Sequence, residues 1–166
     1  MKAILMSIKA RHNRNIEAGV KTSELRKRPP KRGYPIKVYT YESGYDGRHK
    51  VVNEWICRNA TDWRICMGIP AHLPKAAYLS IFDIKEYSGK KYDNITEMEI
   101  SDLKIYDKPK ELSEFRKPCK YKHPCCLCKY FNYDAIYEGD DDAICKIEHI
   151  TRPPQSWCYI EEFVGE

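Results

Sequence analysis

Between Lys2 and Lys9 the apolar side chains fall on both faces of an extended segment: Ile4, Met6 and Ile8 on one, Ala3 and Leu5 with Ser7 on the other. A strand that is apolar on both sides must be covered on both sides. This constrains the chain to a closed or heavily covered sheet. The residues that follow read as a short helix from Ala10 to Ala18, with Arg11 and Arg14 on a basic face and Ile16 turned inward. Gly19 ends that helix in the manner of a C-cap glycine.

Further along, Thr22 to Arg28 reads as a second strand, stopped by the basic turn Arg28-Pro29-Pro30-Lys31-Arg32-Gly33. Ile36 to Glu42 alternates as a clear strand, and Val51 to Cys57 is a strand paired with it, across a loop from Gly44 to His49. Asn59 to Pro74 reads as irregular or partly helical. Ala77 to Tyr87, rich in Tyr, Ile and Phe, reads as a long strand. Glu97 to Tyr106 reads as another, Glu111 to Phe115 as a single helical turn, and Gln155 to Phe163 as a last strand started by Pro153-Pro154. Residues 116–150 change character: they hold five of the eight cysteines and an acidic run at Asp140-Asp141-Asp142. The expected organisation is one domain over 1–166, with 116–150 as a Cys-rich insertion. The fold class is α+β: a small mixed barrel of about six strands with one or two short helices.

Charge is unevenly placed. Residues 1–50 carry thirteen Lys/Arg against four Asp/Glu, and the remainder sixteen against twenty, so a net of +9 faces a net of −4. Such asymmetry implies a basic face and a polyanionic partner. No run of 18 apolar residues exists, which excludes a membrane-spanning helix. The N-terminal apolar run, Ala3 to Ile8, meets Lys9 and is too short for a signal-peptide core, so a cytoplasmic protein is expected. Reduced thiols or a metal site are then expected of the cysteines, rather than disulfides.

Lys21-Thr22-Ser23-Glu24-Leu25-Arg26 packs two cations, one carboxylate and two hydroxyls into six residues directly after the helix. An ordinary half-buried strand would alternate apolar and polar positions. The pattern Gly19-x-Lys21-x-x-Glu24-x-Arg26, the opening Ile4-Leu5-Met6-Ser7-Ile8-Lys9 and the strand Ile36-Lys37-Val38-Tyr39 together resemble the ASCH domain family of the PUA-like superfamily. All four defined positions of the G-x-K-x-x-E-x-R hallmark are filled. Ile100 to Tyr106, the turn from Pro109 to Phe115, and Pro153 to Tyr159 resemble small ASCH-like proteins of phages and prophages. The resemblance implies a PUA-like barrel with a cleft near the first helix, facing RNA, single-stranded nucleic acid or a nucleotide with a modified base. Lys21 and Arg26 would contact phosphate or base edges, Glu24 would accept from a base amino group, and Ser7, Lys9 and Thr22 would line the same cleft. Arg11, Arg14, Arg28, Lys31 and Arg32 would form a basic rim. A competing reading has Glu24 pairing with Lys21 or Arg26 as a barrel-closing ion pair with no ligand.

Some relatives of this kind are amidohydrolases of acylated cytidine that use a Lys and a Thr three residues later. Lys21 matches, but Glu24 stands at the hydroxyl position, so that nucleophile is missing and catalysis is not the first expectation. Ribonuclease action recruiting His12 and Lys21 is an alternative. A third reading is a phage-encoded interaction module that inhibits a host nucleic-acid enzyme, with a host protein as partner. Tyr39, Tyr41, Trp55, Trp63 and Trp157 are candidate stacking rings, each equally at home in a core. Cys119, Cys125, Cys128 and Cys145 offer four thiolates for a structural zinc, with a C-x2-C knuckle at Cys125 and Cys128 and with His123 and Cys126 as possible substitutes. Cys57, Cys66 and Cys158 read as ordinary buried thiols.

Overall fold

In the computed structural model, which describes residues 1–31, 33–89, 94–118 and 149–161, the doubly apolar first segment is strand β1 (Lys2–Lys9) inside a five-stranded sheet. Parallel pairing joins β1 to β3 (Ile36–Ser43), with Lys2 opposite Ile36 and Lys9 opposite Ser43. A parallel pair needs a crossover, supplied here by helix α1 (Ala10–Glu17) and strand β2 (Ser23–Arg26). Strand β4 (Val51–Cys57) pairs antiparallel with β3. A second sheet of three strands is built from β2, β6 (Asn94–Glu99) and β5 (Ala60–Arg64). The larger sheet is completed by β7 (Ser101–Lys110) beside β4 and β8 (Trp157–Ile160) beside β1.

Three apolar clusters explain why these layers stay together. Ile4, Met6 and Ile8 of β1 pack with Ile16 of α1, Val38, Trp55 and Met98 of β6, filling the space between the two sheets. The opposite face of β1 buries Ala3 and Leu5 with Tyr39, Tyr41, Phe115 and Ile150. Beneath the small sheet, Leu25 and Ile95 meet Leu73 and Ala77 of helix α2 (Leu73–Ala77) and Ile84 of helix α3 (Ile81–Ser88). Each fully buried aliphatic side chain contributes about 1.5–3 kcal/mol relative to exposure. On β8, Trp157 and Tyr159 join the inter-sheet cluster while Cys158 and Ile160 join the other, as the alternation predicts.

The α+β class and the small mixed barrel hold, with eight strands and three α-helices among the described residues where about six and one or two were expected. Some element assignments are corrected. Within 59–74, Ala60–Arg64 is a strand; it is a mostly exposed edge, so no apolar alternation marks it. The segment Ala77 to Tyr87 is not one strand: it ends α2 at Ala77, turns through Tyr78 to Ser80 and enters α3 at Ile81. Ser80 caps α3 through a reciprocal capping box with Asp83, and Ile84 is the inward position. Its β-prone Tyr78, Ile81 and Phe82 are exposed, so their type says nothing about backbone state. Glu97 to Tyr106 is two strands: the chain changes sheet at Ile100, whose N–H donates to Thr22 O. The β4–β5 corner lies alongside, tied by Arg58 to Asp102 (2.6 Å) and by Ser101 Oγ donating to Ile56 O (2.9 Å). The second strand is shorter than read, four residues rather than seven. No helix among the described residues is long and apolar enough to cross a membrane.

Candidate nucleic-acid cleft

Gly19 has φ +71 with open space around its Cβ position, so the backbone conformation, not crowding, favours glycine there. The resulting turn lets the N–H groups of Val20 and Lys21 both donate to Asn15 O, which reverses the chain into β2. Glu24 and Arg26 share one face of β2, two residues apart. Lys21 enters the same place from the turn.

These three residues are 3%, 7% and 8% exposed, which makes them floor rather than rim. Glu24 sits between the cations: Oε2 lies 3.3 Å from Lys21 Nζ and Oε1 lies 2.9 Å from Arg26. Lys21 Nζ also donates to Ala77 O at the end of α2 (2.9 Å). Arg26 donates to Ser7 O (2.9 Å) and to Ser156 Oγ (3.2 Å), while its Nε is buried without a hydrogen-bond partner. Ser7 Oγ donates to Pro154 O (2.6 Å), pinning the end of β1 to the segment before β8.

Above this floor opens a cleft of about 800 Å³. Lys9, Arg11 and His12 wall it on the α1 side, Lys27 and Arg28 extend the basic edge after β2, and Asp83, Glu86 and Tyr87 of α3 face in from elsewhere on the rim. Six Lys/Arg and three carboxylates line it, a balance of +3 with His12 neutral. Lys27 Nζ lies 4.8 Å from the centre of the Tyr87 ring, a cation–π contact that links β2 to α3.

The electrostatics follow from this packing. Burial pushes the Glu24 carboxyl upward, but Lys21, Arg26 and His12 outweigh it and hold it below the usual carboxylate range. His12 is held below its ordinary 6.5, first by burial and then by the Lys21 ammonium, so it is a neutral imidazole at pH 7. Hydrogen bonds from Ser80 depress Asp83, with further help from Arg11 and His12. Burial raises the Tyr87 hydroxyl, which feels both Arg26 and Glu24.

The structure brings Ser7, Lys9, Lys21, Glu24 and Arg26 together at one cleft, with Arg11 and Arg28. It places Thr22 elsewhere, on a smaller pocket of about 430 Å³ with Ser23 and Glu97. There Ser23 Oγ donates to Glu97 Oε1 (2.8 Å), and Trp63 Nε1 and His72 Nε2 meet Glu97 Oε2 at 2.9 and 3.0 Å. Thr22 precedes β2, so the alternation that puts Glu24 and Arg26 on the cleft side does not extend back to it, and Ser23 falls on the other face of the strand. Arg14 is drawn off to Asp46 (3.0 Å), and Lys31 does not line the cleft. Arg32 lies outside the described residues, as do Cys119, Cys125, Cys126, Cys128, Cys145 and His123.

None of the nominated rings lines the cleft among the described residues. Trp55 is fully buried and donates to Thr40 Oγ1 (3.0 Å), Tyr39 packs edge-on against Phe115, Tyr41 joins the same cluster, and Trp157 donates to Arg28 O (2.5 Å). The ring at the cleft is Tyr87, in the segment whose composition suggests a strand. A sequence signal for it exists in Ser80-x-x-Asp83: a helix start there puts 83, 86 and 87 on one face. Of the other thiols, Cys57 is buried, Cys158 half-buried and Cys66 exposed, which corrects the expectation for Cys66.

No protein-family model matches the chain, and no curated protein matches it by sequence. Solved structures do. The ASCH protein of Zymomonas mobilis is 17% identical with a TM-score of 0.60, covering 97% of this chain and 89% of that one. Two single-residue variants of it, a tyrosine-to-phenylalanine and a serine-to-alanine change, are each 16% identical with TM-scores of 0.60 and 0.62, covering 98% and 97% of this chain. At this identity the likeness shows the fold alone: the chain folds as the ASCH protein of Zymomonas mobilis does.

Proposed function

We propose that the protein binds single-stranded RNA, or a nucleotide from it, in the cleft above Lys21, Glu24 and Arg26. One observation carries this reading: six Lys/Arg converge on a single cleft whose floor cations are fixed by a buried carboxylate. Fixed cations lose little freedom on meeting phosphate. The floor ion pair and a ligand role are therefore compatible: Glu24 holds the two cations in place, and the exposed Lys9 and Arg11 make first contact. Binding of a labelled RNA strand should weaken steeply with salt, since each phosphate contact to a single strand contributes a slope of about −0.7. Lys9→Ala with Arg11→Ala should reduce that slope by about 1.4. A slope unchanged in the double variant would place the RNA elsewhere.

A second reading, ribonuclease action, is favoured by His12. A neutral imidazole on the cleft wall, beside Lys21, can accept the 2′-hydroxyl proton once Arg11 Nε (3.2 Å) releases its Nε2, as the 2′-oxygen bonds to the neighbouring phosphorus, the bond to the 5′-oxygen breaks, and that oxygen takes a proton from water. This reading requires RNA cleavage by the native chain that His12→Ala removes; an end-labelled strand left intact would dispose of it. Amide hydrolysis of acylated cytidine is less supported, because Thr22 and Ser23 face the smaller pocket. For Cys119, Cys125, Cys128 and Cys145, a structural zinc remains a proposal from spacing. Native mass spectrometry with and without chelator decides it, an apo mass with an unchanged melting temperature speaking against the metal.

A further inference from the structure

A cleft built for phosphates alone would need no carboxylates at its rim. This one has Glu86 and Asp83 of α3 among its lining residues, with the Tyr87 ring beside them. The two acids are not equivalent. Asp83 Oδ2 is occupied by the N–H and hydroxyl of Ser80 (3.0 and 2.7 Å). Glu86 has no ion-pair or hydrogen-bond partner among the described residues, although six cations line the same cleft. The floor adds an independent pointer to a ligand: Arg26, more than nine-tenths buried, keeps Nε without a partner. A cavity near 800 Å³ is in the range of small-ligand sites, about 300–1,000 Å³.

Resting on the RNA-or-nucleotide reading, we propose that the cleft seats one nucleotide at a time. The phosphate lies toward Lys9 and Arg11, and the base lies against Tyr87, where Glu86 reads its edge. A carboxylate only accepts hydrogen bonds. Guanine presents two adjacent donors, N1–H and the 2-amino group, which match both oxygens of one carboxylate. Cytosine and adenine present one amino group each. Uracil presents a single N3–H between two carbonyls, whose oxygens the carboxylate repels. The Tyr87 ring supplies a stacking surface indifferent to base identity. Discrimination is therefore assigned to Glu86 and affinity to the cations and the ring.

The test is calorimetric titration of the full chain with GMP, CMP, AMP and UMP at one fixed low salt concentration. GMP is expected to bind at least about tenfold tighter than UMP, the scale of one good bidentate base contact. Glu86→Gln should weaken GMP, which loses one of its two acceptors, and strengthen UMP, whose carbonyls the amide no longer repels, so that the preference for GMP disappears. Glu86 is exposed on α3, so an unchanged melting temperature checks that this variant folds. UMP binding as well as GMP, or a Glu86→Gln variant that weakens all four equally, would overturn the base-reading role while nucleotide binding stands. A strand of RNA that binds when no mononucleotide does would overturn the single-nucleotide site. Failure of both the strand and the mononucleotides would overturn this inference together with the RNA reading it rests on.

Discussion

Two buried charge networks flank helix α1, and they differ in one respect that matters. At one end Glu42, almost fully buried, accepts from Arg48 Nε (3.1 Å), from its terminal nitrogen (2.6 Å), from its backbone N–H (2.9 Å) and from Asn13 Nδ2 (2.8 Å). Glu17 and Asn53 complete the set, with Arg48 reaching Glu17 at 2.6 Å. At the other end Glu24 holds Lys21 and Arg26. Both carboxyls are depressed by their cations despite burial. The Glu42 network opens on neither described cavity, and its carboxylate is saturated from within the chain. Each network holds one buried atom without a partner, Asn53 Oδ1 in the first and Arg26 Nε in the second, but the Glu24 triad alone is the floor of a described cleft. Burial and a shifted pKa thus mark both networks alike; access to a cation-rich cleft separates them.

The comparison breaks or sharpens first at Arg48→Met. This leaves Glu42 buried with neutral donors alone, Asn13 Nδ2 and the backbone N–H of residue 48, and the cost of removing one partner of a buried pair, discounted because the Arg48 side chain is 39% exposed to screening solvent, is about 2–3 kcal/mol. Urea denaturation at pH 7 should show that loss, while RNA affinity per folded molecule stays as in the native chain. The loss is pH-dependent in a definite sense. Glu42 titrates below its ordinary 4.5 in the fold, so the stabilisation is complete above about pH 4.5 and fades as pH falls through the depressed value. Native and variant stabilities should therefore converge in acid. An RNA affinity that fell with Arg48→Met would erase the distinction between the networks.

Arg26→Met should do the reverse in proportion. Glu24 keeps Lys21, so the stability loss is smaller, about 2 kcal/mol, made up mostly of the bonds to Ser7 O and Ser156 Oγ. RNA affinity should drop by about tenfold, the scale of a single charge-assisted hydrogen bond removed from a partly desolvated site. Stability falling with affinity intact would return the triad to a purely structural, barrel-closing role.

How far this contrast could be read from sequence depends on distance along the chain. The floor was legible because Gly19, Lys21, Glu24 and Arg26 lie within eight residues and the turn at Gly19 is a local event. Strands β1, β3 and β4 and helix α1 were legible for the same reason: their periods are strong and their faces are buried. The α3 wall was not, because Tyr78, Ile81 and Phe82 are exposed apolar residues that imitate a strand. Nothing local connects Glu86 with Arg11, 75 residues earlier in the chain. Partition of the polar residues was equally hidden. Thr22 and Glu24 differ by two positions, yet a turn, not a strand, separates them, so the period-2 rule does not apply across it. The sheet change at Ile100 is set by closure of the barrel, which no window of sequence contains.

Arg14 gives the smallest and most discriminating case. Arg11 and Arg14 are three residues apart on α1, a spacing that places them on neighbouring parts of the helix surface, and charge alone puts both on the rim. The structure separates them: Arg11 lines the cleft, whereas Arg14 pairs with Asp46 at 3.0 Å and donates to its carbonyl at 3.2 Å. Both partners are more than half exposed, so the pair contributes little, and Arg14→Ala should shift stability by no more than about 0.5 kcal/mol. If RNA follows the cleft, the salt slope of Arg14→Ala matches the native chain, while Arg11→Ala alone lowers it by about 0.7. Equal slopes for the two variants would mean that RNA reads the basic face as a whole, and the cleft would then have no privileged place in binding.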